Sequence, residues 1–150
     1  MKVRGSPFLM ATTMLLCGSA AGACDLQVAG GWLREPPPGA RSAAGYGILS
    51  NTGKSVLRIV SVSLPAGGTA MMHESRMQDG VMQMPHLESL SLAPGEKVRF
   101  APMGKHIMLM NLPAMPKAGG HLRIEFGDAL GCKTQADFVV VPLTQDGPPA

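Results

Sequence analysis

Methionine and histidine are concentrated in one window of this 150-residue chain. His73, His86 and His106 lie in the window, and His121 lies just beyond it. The window also holds nine of the twelve methionines, which are Met71, Met72, Met77, Met82, Met84, Met103, Met108, Met110 and Met115. Methionine used only as core filler would be spread along the chain. Because thioether sulfur suits Cu(I) and imidazole binds copper in either oxidation state, these residues favour copper over zinc and leave Cu(II) binding open.

Other chemistries fit these residues less well. No carboxylate cluster accompanies the histidines, which disfavours Ca²⁺ and Mg²⁺, and no nucleophile or acid–base pair is grouped near them, so we do not expect an enzyme. A blue-copper site needs a cysteine thiolate beside its histidines, and neither Cys24 nor Cys132 is so placed. The Cys-x-x-Cys-His motif of haem attachment is missing. The remaining alternative is a methionine-rich core with incidental surface histidines.

A β-hairpin is predicted at Asp79-Gly80, a dipeptide typical of two-residue turns between strands. Opposed positions then sum to about 159, or to about 157 for a four-residue loop. In either register an odd-numbered residue of the first strand shares a face with an even-numbered residue of the second. One face should therefore carry five side chains: His73, Met77, Met82, Met84 and His86.

Residues 106–110 are predicted to form a strand with two different faces. Successive side chains of a strand point to opposite sides. His106, Met108 and Met110 therefore share one face, and Ile107 and Leu109 share the other. We expect Ile107 and Leu109 to lie in the core, so the face with the candidate metal ligands should point away from it.

Composition and turn signals predict an all-β fold. Gly (19) and Pro (13) disfavour long helices, and a hydrophobic fraction of 45% is enough for one packed core. Short segments of strand-like alternation are separated by turn dipeptides such as Asp79-Gly80 and Pro94-Gly95. We expect a sandwich or barrel of about eight or nine strands. It should form one domain over residues 24–150, with residues 144–150 as a loose tail.

Residues 1–23 have the features of a secretion signal. A basic start precedes an apolar stretch over residues 8–17, and Ala21-Gly22-Ala23 supplies small residues before a cleavage site. We therefore expect export to the periplasm. A membrane anchor is one alternative, and a lipid-anchored form is another because Cys24 directly follows the small residues.

Export makes Cys24 and Cys132 a candidate disulfide. Removal of the signal discards Cys17 and leaves an even pair of cysteines in an oxidising compartment. Two free thiols, or a lipidated Cys24, are the alternatives.

The charge pattern gives no sign of a nucleic-acid partner. The formal net charge is +3, and the Lys and Arg residues are scattered rather than grouped into a basic patch. We expect a monomer.

The ligand spacing resembles the signature of the periplasmic PCu(A)C copper chaperones. Ten residues separate His73 from Met84, and twenty-one separate Met84 from His106-Ile107-Met108. Further segments are similar to that family and span nearly all of the chain after the signal: residues 31–39, Ala44-Gly45-Tyr46, Asn51, Met72-His73-Glu74, residues 79–84 and residues 104–110. Four ligands at two fixed gaps make this a specific resemblance.

The resemblance implies a cupredoxin-like Greek-key β-barrel with Cu(I) held near the surface by His73, Met84, His106 and Met108. It also implies delivery of copper to the binuclear copper centre of cytochrome c oxidase, or to a partner chaperone in its assembly. A periplasmic copper storage or resistance protein is an alternative, as is a structural β-domain that binds no metal.

The chain departs from the commoner pattern of that family in two places. Ala129-Leu130-Gly131-Cys132 stands where the family usually has a short acidic turn. His86 and Met110 are additional candidate ligands close to the signature, so their part in the site is left open.

Overall fold

The computed structural model describes residues 24–148, so the predicted signal at 1–23 and the last two residues lie outside it. The described part of the chain contains eleven strands and no helix. The strands are β1 (Leu26–Arg34), β2 (Ser42–Asn51), β3 (Leu57–Ser63), β4 (Thr69–Glu74), β5 (Arg76–Gln78), β6 (Val81–Gln83), β7 (Leu90–Leu92), β8 (Lys97–Phe100), β9 (Lys105–Met110), β10 (His121–Asp128) and β11 (Lys133–Val141). Within these residues there is no apolar helix long enough to cross a membrane.

Nine strands form one curled sheet in the order β4-β9-β2-β1-β11-β10-β3-β7, with β8 paired to β2 beside β9. Neighbouring strands are antiparallel except β1 and β11, which are parallel. Near the two ends of this order β3 and β4 approach each other, so the sheet curls toward a barrel. The predicted all-β fold class is confirmed.

The first strand of the predicted hairpin, which carries His73 and Met77, is divided in the structure. β4 ends at Glu74, and the N–H of Ser75 still donates to the carbonyl oxygen of Gly104 at 3.0 Å. Beyond Ser75 the chain leaves β9 and pairs only with β6. The β5–β6 hairpin is therefore a separate two-stranded element, and this division helps to bring the number of strands above the predicted eight or nine.

The inner face of the curled sheet forms the hydrophobic core. Its largest fully buried side chains are Phe100, Phe126, Phe138, Leu33, Leu49, Ile59, Leu92, Ile107, Leu109, Ile124 and Val140. Burial of one such side chain contributes about 1.5–3 kcal/mol. Strand alternation supplies these residues, since Ile107 and Leu109 of β9 are both 0% exposed while the residues between and beside them face the other way.

A smaller cluster packs on the other face of the sheet around Trp32, Tyr46 and Val141. The ring centroids of Trp32 and Tyr46 lie 4.5 Å apart. Residues 142–148, which follow β11, form turns rather than a strand. Asp146 in this segment makes an ion pair with Arg34 of β1, which attaches the segment to the sheet.

A disulfide joins Cys24, which precedes β1, to Cys132 in the loop between β10 and β11. The Cα atoms are 5.8 Å apart, a usual separation for a disulfide. The side chain of Asp128 accepts hydrogen bonds from the N–H groups of Leu130 and Cys132, both at 2.8 Å. The carboxylate thus shapes the loop that presents Cys132 to the start of the first strand.

Candidate metal centre

The candidate centre lies on β4 and β9, at one edge of the sheet. The antiparallel register places His73 opposite His106 and Met71 opposite Met108. Directly opposed side chains lie on the same face of a sheet. These two imidazoles and two thioethers therefore share one face, while Met72 of β4 and the residues between the ligands of β9 are buried in the core.

Burial and a hydrogen bond to the backbone hold the imidazole of His106 in place. The residue is 6% exposed, and its Nδ1 lies 3.1 Å from the carbonyl oxygen of Gly104. Because a carbonyl only accepts, Nδ1 carries the proton in this contact and Nε2 keeps a free lone pair. Such a hydrogen bond commonly orients an imidazole that binds a metal. The sequence predicted the face on which His106 lies but not how completely its neighbours cover it.

A tight turn positions the carbonyl group that holds His106. The N–H of Gly104 donates to the carbonyl oxygen of Ala101 at 3.1 Å, and the N–H of Ala101 donates to that of Lys105 at 2.9 Å. Pro102 fits the second position of this turn, and Met103 in the third position has a φ of 65°. A left-handed conformation is uncommon for a residue other than glycine. The turn fixes the direction in which β9 begins.

His73 is half-buried, and the polar atoms of its side chain have no partner among the described residues. Both of its ring nitrogens are buried without a hydrogen bond to any described residue. An unpaired buried polar group costs about 1–3 kcal/mol. Burial lowers the pKa of His73, and the nearby His106 and His86 lower it further, so the ring is neutral at neutral pH. Neutral imidazole is the form that binds metals, and a metal would supply the missing partner.

His86 lies directly beside His73 on the side away from β9. An isolated antiparallel bridge pairs the two residues, and backbone hydrogen bonds of 3.2 and 2.8 Å flank it. In such a non-hydrogen-bonded pair the side chains come closest together. The ring centroids of His73 and His86 are 5.6 Å apart, and those of His73 and His106 are 5.8 Å apart. The three imidazoles thus form a row across three adjacent backbone segments.

The β5–β6 hairpin has the register predicted from the two-residue loop. Its paired residues Met77 and Met82 have numbers that sum to 159, as do those of the bridge between the histidines. Asp79 and Gly80 have φ values of 51° and 77°, the positive values that a type I′ turn requires. The prediction that a two-residue turn lies here is confirmed.

Met84 lies on a short arm, residues 84–86, which runs from the end of β6 to the bridge at His86. It is 53% exposed, and the constant register places it opposite Ser75. Pro85 follows, and because proline has no N–H the strand ladder is interrupted there. Three of the four predicted ligands therefore lie on paired strands of the sheet, whereas the fourth, Met84, lies on an exposed arm.

Met71 is a thioether of this face that the sequence reasoning did not single out. It lies opposite Met108, which is half-buried in the wall of a cleft that also contains Pro36 and Tyr46. The position of Met71 follows from the pairing of β4 with β9. No turn signal predicts this pairing, because the two strands are not consecutive in the sequence.

Met110 is a weaker candidate ligand than the sequence suggested. It shares the face of His106 but lies four residues along the same strand. At a rise of about 3.4 Å per residue, the two positions are about 13 Å apart. Met110 is therefore placed beyond Met108 and away from the row of histidines.

The carboxylate of Glu74, the residue after His73, forms an ion pair with Lys105. The Nζ of Lys105 donates to Oε1 of Glu74 at 2.6 Å, and this hydrogen bond and charge lower the pKa of Glu74. Among residues 24–148 no three His, Cys, Asp or Glu side chains converge closely enough to hold a metal ion by themselves. The donors on the face shared by β4 and β9 are imidazoles and thioethers, and the soft thioether sulfur suits Cu(I).

A family model and a relative of known sequence both match most of this chain. A family model described as "Putative lipoprotein LpqE-like" matches residues 26–140. A relative from Leifsonia xyli subsp. xyli, "Putative lipoprotein Lxx21020", is 29% identical over 100 residues, which cover 66% of this chain. The matched region spans 59% of the length of that relative.

Solved structures with the same fold include two that carry copper. The copper-bound PCuAC domain from PmoF2 has a TM-score of 0.66 at 19% identity, covering 81% of this chain and 96% of that domain. The solution structure of CuI-DR1885 from Deinococcus radiodurans has a TM-score of 0.58 at 23% identity, covering 82% of this chain and 83% of that protein. The chain therefore has the fold of PCuAC domains.

Proposed function

This chain belongs to the LpqE-like family, and from that premise we propose that it is a copper carrier of the cell envelope that binds Cu(I) through His73, Met84, His106 and Met108. The observation that carries the proposal is the half-buried imidazole of His73, whose two ring nitrogens are buried without a hydrogen-bond partner and which lies beside His106. Buried polar groups are normally paired with protein or water. A metal shared by the two imidazoles accounts for both the burial and the missing partner.

The spacing of the donors fits one metal ion. An imidazole nitrogen binds a metal at roughly 2 Å, so two rings that share one metal have centroids about 4.5–6 Å apart. The rings of His73 and His106 are 5.8 Å apart. Met108 lies two residues from His106 on the same face, about 7 Å along the strand, a gap that the flexible methionine side chain spans. Two of the four proposed donors are soft thioethers and none is a carboxylate, which favours the singly charged Cu(I) ion.

Met84 is the ligand best placed for exchange with a partner. It is more than half exposed and lies between β6 and the bridge at His86, outside the paired residues. A ligand of an incoming protein replaces this thioether while the other three donors keep the metal. We propose that the acceptor is the binuclear copper centre of cytochrome c oxidase or another copper chaperone. The copper-bound structures of the PmoF2 domain and of DR1885, which have the same fold, support copper as the metal that is carried.

We propose that the protein acts as a monomer in the periplasm after its signal is removed. The family and the Leifsonia relative carry lipoprotein names, which agrees with a place outside the cytoplasm. A lipid on Cys24 and a Cys24–Cys132 disulfide exclude each other, because both use the same sulfur. The pairing with Cys132 in the structure favours the form without a lipid.

A Cu(I) titration of the mature protein with a competing chelator tests the binding site. We expect one Cu(I) per chain and an X-ray absorption spectrum with nitrogen and sulfur donors. His73→Ala should weaken binding at least about tenfold, or about 1.4 kcal/mol. His121→Ala is the matched control, since His121 lies exposed on β10 outside the site. A first shell of oxygen alone, or a sulfur ligand that Cys132→Ser removes, would contradict the proposal.

Transfer of copper tests the carrier role separately. The Cu(I)-loaded protein is mixed with the apo copper domain of an oxidase, and the metal content of each protein is measured after separation. We expect copper to move to the oxidase domain. Copper that stays on this protein, despite tight one-to-one binding, would contradict delivery and point to storage or resistance.

A further inference from the structure

His86 offers an imidazole that the proposed Cu(I) site does not use. It is exposed, and the bridge to His73 brings its ring to 5.6 Å from that of His73. The ring of His106 lies on the opposite side of His73 at 5.8 Å. His73 is thus the middle of three imidazoles, and both of its own nitrogens are buried without partners.

The outer two histidines are close enough to share a metal with the middle one. They lie two strand spacings apart, which is about 10 Å between their Cα atoms. An imidazole Nε2 reaches about 4.5 Å from its Cα and binds metal at about 2 Å, so two histidines share a metal at Cα separations up to about 13 Å. The three rings do not converge as they stand. Because His86 is exposed, its side chain turns toward His73 without displacing a packed neighbour.

One short arm presents two different donors to the same place. Met84 and His86 are two residues apart on it, and the constant register of 159 puts them on the same face. Pro85 between them restricts the backbone because its ring fixes φ. Thioether sulfur is a soft ligand that favours Cu(I), whereas imidazole binds Cu(II) well. The arm therefore carries a ligand suited to each oxidation state.

We infer that this centre also binds Cu(II), with His73, His86 and His106 as its three nitrogen ligands and with His86 taking the place that Met84 has around Cu(I). The inference rests on the proposed function, because both oxidation states use His73 and His106. It gives His86 a role that the Cu(I) ligand set does not include. The arm then supplies the one ligand that differs between the two oxidation states, Met84 for Cu(I) and His86 for Cu(II).

Cu(II) binding to the unmodified mature protein provides the first test. The protein is titrated with copper(II) sulfate in the presence of glycine as a competing ligand, and the product is examined by electron paramagnetic resonance. We expect one Cu(II) per chain and a nitrogen hyperfine pattern from three imidazoles. A pattern from two imidazoles, or no specific binding, would overturn the inference without any variant being made.

Substitution of His86 provides the second test. His86→Gln should lower the Cu(II) affinity at least about tenfold more than the Cu(I) affinity, which raises the reduction potential of the bound copper by about 59 mV for each tenfold difference. His86→Asn should behave in the same way, and His121→Gln should change neither affinity. Melting curves of the apo proteins check that each variant folds.

The two proposals fail in different ways. If His86→Gln weakens Cu(I) and Cu(II) equally, or leaves the hyperfine pattern unchanged, the inference about His86 is wrong while the Cu(I) site stands. If the unmodified protein binds no Cu(I) in the chelator titration, the proposed function fails whatever the Cu(II) spectrum shows.

Discussion

Replacement of Met108 by alanine, compared with replacement of its neighbour Ile107, separates copper binding from folding. Ile107 is 0% exposed in the core, and truncation of a buried isoleucine to alanine costs about 2–5 kcal/mol. Met108 is half-buried on the opposite face. Since full burial of such a side chain contributes about 1.5–3 kcal/mol, we expect Met108→Ala to cost about 1 kcal/mol.

The two substitutions should affect the Cu(I) affinity in the opposite order, with Met108→Ala having the larger effect. Met108→Ala removes one proposed ligand, and we expect the Cu(I) affinity to fall at least about tenfold, or about 1.4 kcal/mol. Ile107→Ala keeps every proposed ligand and should leave the affinity nearly unchanged. Met108→Leu is the sharper control, because Leu and Met differ by less than about 1.5 kcal/mol in a core. It should preserve the fold and lose the affinity.

Apo-protein melting and chelator competition measure the two effects. For a chain of this length, about 1 kcal/mol changes the melting temperature by about 2–4 °C. Ile107→Ala should therefore lower it by about 4–20 °C and Met108→Ala by about 2–4 °C. If Met108→Ala destabilises the apo protein as much as Ile107→Ala, or if Met108→Leu keeps the full Cu(I) affinity, the methionine face is part of the packing and the ligand assignment is wrong.

Three further predictions concern the scaffold. The mature protein, analysed by mass spectrometry without reductant, should contain a Cys24–Cys132 disulfide and no lipid, and Cys132→Ser should lower stability by about 2–5 kcal/mol; two free thiols or a diacylglycerol on Cys24 would reject the bridge. The buried side chain of Asn51 makes three hydrogen bonds, so Asn51→Ala should cost about 3 kcal/mol in a denaturant titration, roughly 1 for each bond, and a change below half of that would show that water replaces them. Arg123 donates to Asp137 at 2.8 and 3.1 Å and holds the pKa of this carboxyl below its usual value. The stability that the pair provides is present above the unfolded-state pKa and lost as the pH falls through the folded-state pKa, so Asp137→Asn should lower the melting temperature at neutral pH and leave it unchanged in acid, and a difference that persists in acid would contradict this assignment.

Local patterns in the sequence were sufficient to predict the geometry within single elements. The alternation around Ile107 predicted which side of β9 enters the core, and residues 79–80 predicted a hairpin whose His73 and His86 share a face. Both rest on short-range rules, namely the two-residue period of a strand and the positive φ values of a tight turn.

Pairings between distant strands were not predictable in this way. The register of β4 against β9 joins segments that are not adjacent in sequence, and it alone brings His106 next to His73 and Met71 next to Met108. The parallel pairing of β1 with β11 is of the same kind. Such pairings are selected by packing of the whole core, whose shape no short segment specifies. The burial of His106 follows from these contacts and was missed with them.

In the proposed site the donors are divided between the sheet and the arm, which would let the protein release a metal without losing its fold. His106 and Met108 alternate with Ile107 and Leu109, whose burial holds β9 in place whether or not a metal is bound. Met84 follows β6, its neighbours Gln83 and Pro85 are not buried, and β6 pairs only with β5. Movement of the Met84 side chain would therefore break one proposed metal bond and few packing contacts, while movement of β9 would disrupt the core. In the proposed delivery of copper, ligand exchange that begins at Met84 would leave the fold intact at every step.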